Sequence, residues 1–257
     1  MTDLVLTRKT GHILTVHINR PERKNALTHA MYTALGDALE LARDDGAVRC
    51  VLFAGSEDCF TSGNDLADFV KGLPGDFQDT PVGRFLFLLA TASKPVVASV
   101  NGPAIGIGTT MLLHCDLVFA GDNARFQMPF ASLGLCPEGG SSLLLPSWLG
   151  RVRAAELLML GGAFSAADAC RLGLINRVCE PQETESRALE ACQQLASQPP
   201  AAIRATKQLL NRPGQDQLRE TLLSEGQMFD ERLKSPEAAE AFRAFMEKRR
   251  PDYSSFE

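Results

Sequence analysis

Val96-Val97-Ala98-Ser99-Val100-Asn101-Gly102-Pro103-Ala104-Ile105-Gly106-Ile107-Gly108-Thr109-Thr110 reads as a short apolar strand that breaks at a glycine-rich turn and leads into an apolar helix, Met111 to His114. A strand with no charge and hardly a polar side chain is one covered on both faces. The turn after it leaves backbone N–H groups unpaired at a helix start, where they stabilise negative charge. It is not a dinucleotide fingerprint, because the third glycine position after Gly106 and Gly108 is Met111, and no Lys-Ser/Thr follows as in a phosphate loop. Taken alone, its glycines answer first to the packing of a tight strand-to-helix turn.

Outward from this stretch, strand and helix alternate. Ile13 to Ile18 alternates apolar and polar residues, Val48 to Phe53 is nearly all apolar, and Leu117 to Ala120 is a further short apolar run. Leu27, Met31, Leu35, Leu39 and Ala42 recur at helical spacing, with Thr28 near the start and Gly46 beyond the end. From about Arg151 the pattern turns helical: Val152 to Leu160, Ser165 to Leu172, Glu183 to Ser197, Ala201 to Leu210, Asp216 to Leu233 and Pro236 to Arg249. Ser165 with Asp168, and Ser235 with Pro236, mark helix starts. The fold class is α/β with a helical last third. Val70 to Pro81, rich in Gly, Pro and Asp, reads as a mobile surface loop.

The 257 residues, 45% hydrophobic and 22% charged, suit a globular chain that buries a sizeable core. A net charge of -5 gives no general attraction for polyanions, so no nucleic-acid partner is expected. No apolar run reaches bilayer length, and Met-Thr-Asp-Leu-Val lacks a basic segment followed by an apolar one, so no membrane association is expected. Ser254-Ser255-Phe256-Glu257 is no Ser-Lys-Leu type of peroxisomal address. Seven cysteines with no CxxC pair suit buried thiols in a reducing compartment. The expected location is cytoplasmic.

Two further segments carry possible chemistry. Cys59-Phe60-Thr61-Ser62-Gly63-Asn64-Asp65-Leu66 is a small-residue turn with exposed amides, and two such turns facing each other could hold one oxygen between two donors. By itself it implies only a loop and a helix cap. Leu135-Cys136-Pro137-Glu138-Gly139-Gly140-Ser141 carries a glutamate that an isolated turn would expose. Phe126, Met128, Phe130, Leu133, Leu144 and Leu145 surround it in sequence, and a carboxyl desolvated by such neighbours has a raised pKa suited to proton transfer near neutrality. His12, His17, His29 and His114 form no metal spacing, and Ser62 and Ser141 lack a nucleophile elbow.

Together, Asn19-Arg20-Pro21 through Asn25-Ala26-Leu27, Ser62-Gly63-Asn64-Asp65-Leu66, Lys94-Pro95-Val96-Val97-Ala98, Asn101-Gly102-Pro103 and Cys115-Asp116 through Pro129 resemble the crotonase (enoyl-CoA hydratase/isomerase) superfamily, in the family's order, from about residue 4 to residue 250. The resemblance implies a spiral of ββα units over residues 1–195 that holds an acyl-CoA site. It implies a C-terminal helical oligomerisation region over 196–257, a homotrimer or dimer of trimers, and no metal or redox cofactor, coenzyme A being part of the substrate. It places the oxyanion-hole amides at Ser62 and Ile107. CoA and substrate contacts fall on Arg23, Lys24, Ala26, Gly63, Asn64, Asp65, Leu66, Gly106 and Phe130. Phe245 and Lys248 resemble the C-terminal segment that reaches CoA.

Where hydratases of the family carry two glutamates this chain has Thr110 and Phe130, so efficient hydration is not expected. Pro129-Phe130 through Leu133-Gly134 and Cys136-Pro137-Glu138-Gly139 instead resemble the peroxisomal-type Δ3,Δ2-enoyl-CoA isomerases, with Glu138 as the single acid/base. The implied activity moves a double bond from C3 to C2 of an acyl-CoA in β-oxidation. Another acyl-CoA isomerisation, as in aromatic degradation, a weak hydratase, and a non-catalytic acyl-CoA binding module are the alternatives. Ala67 to Arg84 is where the acyl chain would be discriminated.

Overall fold

A computed structural model of the protein describes residues 4–69 and 75–256. The chain runs β1 (Val5–Thr10), β2 (Ile13–Ile18), α1 (His29–Asp44), β3 (Cys50–Ala54), α2 (Leu66–Phe69), α3 (Pro81–Ala90), β4 (Val96–Val100), β5 (Pro103–Ile105), α4 (Ile107–Thr110), β6 (Leu117–Gly121) and β7 (Arg125–Gln127). Then follow α5 (Ser141–Leu149), α6 (Arg151–Ala155), β8 (Phe164–Ser165), α7 (Ala166–Arg171), β9 (Arg177–Cys179), α8 (Thr184–Ser197), α9 (Pro200–Asn211), α10 (Gln215–Leu233) and α11 (Pro236–Met246). A six-stranded sheet has the order β1-β2-β3-β4-β6-β9, parallel except for the edge strand β1, and a three-stranded sheet has the order β5-β7-β8.

Strand geometry sorts the main core. Along β3, Val51 and Phe53 face α1 and α3 in one cluster, and Cys50 and Leu52 face Ala188 and Cys192 of α8 in another. Successive side chains point to opposite faces, so helices on both sides demand the near-continuous apolar strands. Thr28 caps α1 by accepting from the Met31 N–H, and Lys94, buried, donates to the Ala42 and Asp45 carbonyls at its other end. A cation there satisfies orphan carbonyls and suits the negative end of the helix dipole. Asp116 accepts from the Val96 N–H at 2.7 Å and pairs with Lys207 of α9 at 2.7 Å, tying the C-terminal helices to the sheet.

The structure departs from the sequence reading in several places. Residues 70–74 of the expected mobile loop lie outside the described residues, and Pro81 opens α3, a helix the Gly/Pro-rich approach hid. β1 is a polar, exposed edge strand, and β8 and β9 interrupt the expected helical third with too few residues to show an alternation. The last helix stops at Met246 rather than Arg249, because Lys248 takes a left-handed conformation with φ 55°. Cys50, Cys59 and Cys192 are buried, while the other four thiols are half-buried. None of the described helices is long and apolar enough to cross a membrane.

Candidate active site

The two small-residue turns do face each other. Thr61 pairs with β5, its N–H donating to the Pro103 carbonyl at 3.0 Å and its carbonyl accepting from the Ile105 N–H at 3.0 Å. Gly108, just past the second turn, allows this approach, since a Cβ there would sit 2.6 Å from the Thr61 Cγ2. Asn25, fully buried, binds the first turn from below by donating to the Cys59 carbonyl at 2.8 Å and the Phe60 carbonyl at 3.2 Å.

Counting partners shows which amides are left to stabilise charge. The Ser62 N–H, expected as one oxyanion donor, is spent on the Lys24 carbonyl at 3.0 Å, and the Gly63 N–H bonds the Thr61 Oγ1 at 3.1 Å. The Gly63 carbonyl accepts from Leu27, and the Asp65 N–H donates to the Leu27 carbonyl. Between Ser62 and Asp65 the amide with no acceptor among the described bonds is that of Asn64, so the amide left to donate there is Asn64 and not the expected Ser62. In the second turn the Gly106 N–H donates to Gln127 and the Gly106 carbonyl accepts from Thr109 and Thr110. Ile107, first in α4, has no described acceptor for its N–H, as helix starts require.

Glu138 meets the helix opened by the second turn and is only 7% exposed. The Thr110 hydroxyl donates to its carboxylate, and a Cβ on neighbouring Gly139 would stand 2.9 Å from the Thr110 Oγ1. Burial pushes the Glu138 carboxyl up to about 8 against the Thr110 hydrogen bond, which favours the charged form, with the Glu225 charge adding to the rise. Of the apolar residues near it in sequence, Met128, Phe130, Leu144 and Leu145 pack with Leu135, Cys136 and Phe229 in one cluster. The polar partners of the glutamate turn come from afar. His114 Nε2 contacts the Gly139 carbonyl at 2.8 Å, and burial holds its imidazole down to about 4, so it is neutral and donates this bond. Glu225 of α10 accepts from the Gly140 N–H at 2.6 Å and the Ser142 N–H at 2.9 Å. Tyr32 of α1, fully buried, donates its phenol to the Asn64 Oδ1, and its own pKa is raised by burial and then by the Glu138 charge.

Other expected contacts fall in different places. Arg23 and Lys24 are exposed beside the Ser62 turn, with Ala26 half-buried, its carbonyl accepting from Arg20. The Asp65 carboxylate pairs with Arg20 at 2.7 Å, which makes it a brace for the loop, and Leu66 opens α2. Phe130 sits beside the second turn, its ring 3.8 Å from where a Cβ on Gly106 would be, and meets Phe229 edge-on. Phe245 and Lys248 are exposed at the end of the C-terminal segment. A cavity of 640 Å³ is lined by His29, Phe77, Val82, Leu223, Gly226 and Phe229. His29 and Val82 each lie one helical turn before Tyr32 and Leu86, and Gly226 follows Glu225.

The sign of the Glu138 shift has a consequence for stability. Between the ordinary carboxyl range and about 8 the folded protein keeps a proton that the unfolded chain has released, so the contribution of this group to stability falls as pH rises through the window and is gone above it. Glutamine carries no such proton. Glu138→Gln is therefore expected to melt higher than wild type at about pH 9, with the two converging at about pH 5; thermal unfolding with parallel curves at both would contradict the buried, proton-holding carboxyl.

Two glycine turns, each with a spare amide, and a desolvated carboxyl against the helix that the second one opens, on an α/β core with a helical C-terminal region, are the arrangement of the crotonase superfamily. The chain belongs to the enoyl-CoA hydratase/isomerase family, whose model matches residues 8–255, and it is an enzyme of that family. A solved structure, Pseudomonas aeruginosa OdaA, is 48% identical and superposes with a TM-score of 0.93 over 95% of this chain and 99% of that one. The 2,3-dehydroadipyl-CoA hydratase of Escherichia coli is 32% identical over 98% of this chain and 99% of its own. Human enoyl-CoA delta isomerase 2 is 32% identical over 96% of this chain, which spans 64% of that protein.

Proposed function

We propose that the protein is a Δ3,Δ2-enoyl-CoA isomerase in which Glu138 is the proton shuttle. The observation that carries the reading is that one buried carboxyl meets the helix opened by the second amide-bearing turn, with threonine, not a second acid, hydrogen-bonded to it. Ionised Glu138 removes a proton from C2 of a 3-enoyl thioester. The electron pair moves into a dienolate whose oxygen accepts from the Asn64 and Ile107 N–H groups. The carboxylic acid then delivers the proton to C4, leaving the C2–C3 double bond conjugated to the thioester. Each preorganised amide contributes about 3 kcal/mol to such a transition state. Phe130 and Phe229 keep water from this space, which protects the dienolate. Hydration would need a carboxylate to activate water, and Thr110 cannot serve as one.

The 640 Å³ cavity lined by His29, Phe77 and Phe229 takes the acyl group in this reading, and the exposed Arg23 and Lys24 meet the phosphates of coenzyme A. Exposed Leu209, Leu210, Met228, Phe245 and Met246 make the C-terminal helices the surface for a homotrimer or a dimer of trimers, through which Phe245 and Lys248 reach the CoA of a neighbouring subunit. The pathway is fatty-acid β-oxidation, in the cytoplasm. Because the reaction begins with ionised Glu138, kcat/KM for 3-hexenoyl-CoA is expected to rise with pH along a single limb with its midpoint at about 8. A profile already flat from pH 5 to 9, taken as about the accessible range, would assign the base elsewhere.

A further inference from the structure

Glu225 is a buried carboxylate that the mechanism above does not use. It lies on α10, 85 residues from Gly140, yet its two oxygens take the Gly140 and Ser142 N–H groups at 2.6 and 2.9 Å. These amides belong to the turn that presents Glu138 and to the first residues of α5. A side chain from a distant helix thus grips both sides of Ser141, whose own hydroxyl donates to the Glu138 carbonyl at 2.6 Å. A helix start offers orphan donors and a positive dipole end, and a carboxylate satisfies both. Charge in so dry a place also acts on its neighbours. The groups that face the Glu138 turn are Tyr32 from α1, Thr110 from α4, His114 after it, Cys136 from the turn itself and Glu225 from α10. Among the described residues Glu225 is the carboxylate of this set besides Glu138.

We propose that Glu225 is a positioning residue for the reaction: its grip on Gly140 and Ser142 fixes the turn that aims Glu138, and it sets a second carboxylate behind that turn. The inference rests on Glu138 being the acid/base. Burial raises both carboxyls and the Glu225 charge adds to the rise at Glu138, so Glu138 holds its proton more tightly, while the two amide bonds favour ionised Glu225.

The test is the pH profile of kcat and kcat/KM for 3-hexenoyl-CoA in wild type, Glu225→Gln, Glu225→Asp and Glu138→Gln. Glutamine keeps an acceptor and removes the charge, so the midpoint of the limb is expected to move down by about 1 pH unit. Aspartate keeps the charge and shortens the reach, so the midpoint is expected to stay while kcat falls about 10-fold with KM little changed. A wild-type midpoint in Glu225→Gln overturns the proposal. Should that variant not fold, a wild-type kcat in Glu225→Asp overturns it equally. Glu138→Gln separates the two layers: if it turns over as fast as wild type, the reading of Glu138 fails, whereas an inactive Glu138→Gln beside an unmoved Glu225→Gln removes the role of Glu225 alone.

Discussion

Glu138→Gln is expected to lower kcat for 3-hexenoyl-CoA by about 10³- to 10⁴-fold, the upper part of what a positioned acid/base contributes. Glutamine preserves the volume and the Thr110 hydrogen bond, so the turn, the amides and the cavity remain. What disappears is the group that can accept the C2 proton and return it to C4. Because one carboxyl performs both transfers, the loss has no second residue to soften it: Thr110 and Phe130 occupy the places from which other acids would act, and His114 is neutral and committed to the Gly139 carbonyl. KM is expected to change little, since the thioester oxygen and CoA are held by other groups. Initial rates from the absorbance of the conjugated product check this, and a loss under about 10-fold would mean that Glu138 is not the shuttle.

The second large effect concerns an amide, which only proline removes. Asn64→Pro deletes an N–H that has no acceptor among the described bonds, so the fold loses no backbone hydrogen bond while the dienolate loses one of its two donors. A fall of about 10²- to 10³-fold in kcat is expected, the usual cost of one oxyanion donor. Asn64→Ala is the control. It keeps the N–H but leaves the buried Tyr32 phenol without its partner, which costs about 1–3 kcal/mol of stability and much less of the rate. Equal rate losses in the two variants would show that the side chain, not the amide, matters at this position.

The central sheet and its helices were legible because their signals are local. β4 coincides with Val96 to Val100, and α1 follows the Met31, Leu35, Leu39 and Ala42 stripe to its Thr28 cap, because burial on a sheet imposes those patterns directly. α3 was missed because Phe85 through Ala90 is almost wholly apolar and follows a Gly/Pro-rich approach, so no amphipathic period announces it. Within the site, Glu138 could be picked out as a glutamate among apolar residues, although the polar partners of its turn come mostly from elsewhere in the chain. The choice between Ser62 and Asn64 could not be read locally. It depends on the Lys24 carbonyl consuming one amide, a pairing made when the Arg20 to Leu27 segment folds over the turn. Tyr32 and Glu225 carry no motif, since each matters only through what it touches across the fold. Their signal in the sequence was limited to a tyrosine and a glutamate standing on the apolar faces of their helices.

An isomerase with Glu138 as its single acid/base transposes a double bond and does not add water. The most direct test is parallel turnover of 3-hexenoyl-CoA and crotonyl-CoA by the wild-type enzyme, following the conjugated enoyl thioester in both. Absorbance is expected to rise with 3-hexenoyl-CoA and to stay essentially constant with crotonyl-CoA. Rapid loss of the crotonyl-CoA signal, with 3-hexenoyl-CoA untouched, would contradict it and make the protein a hydratase.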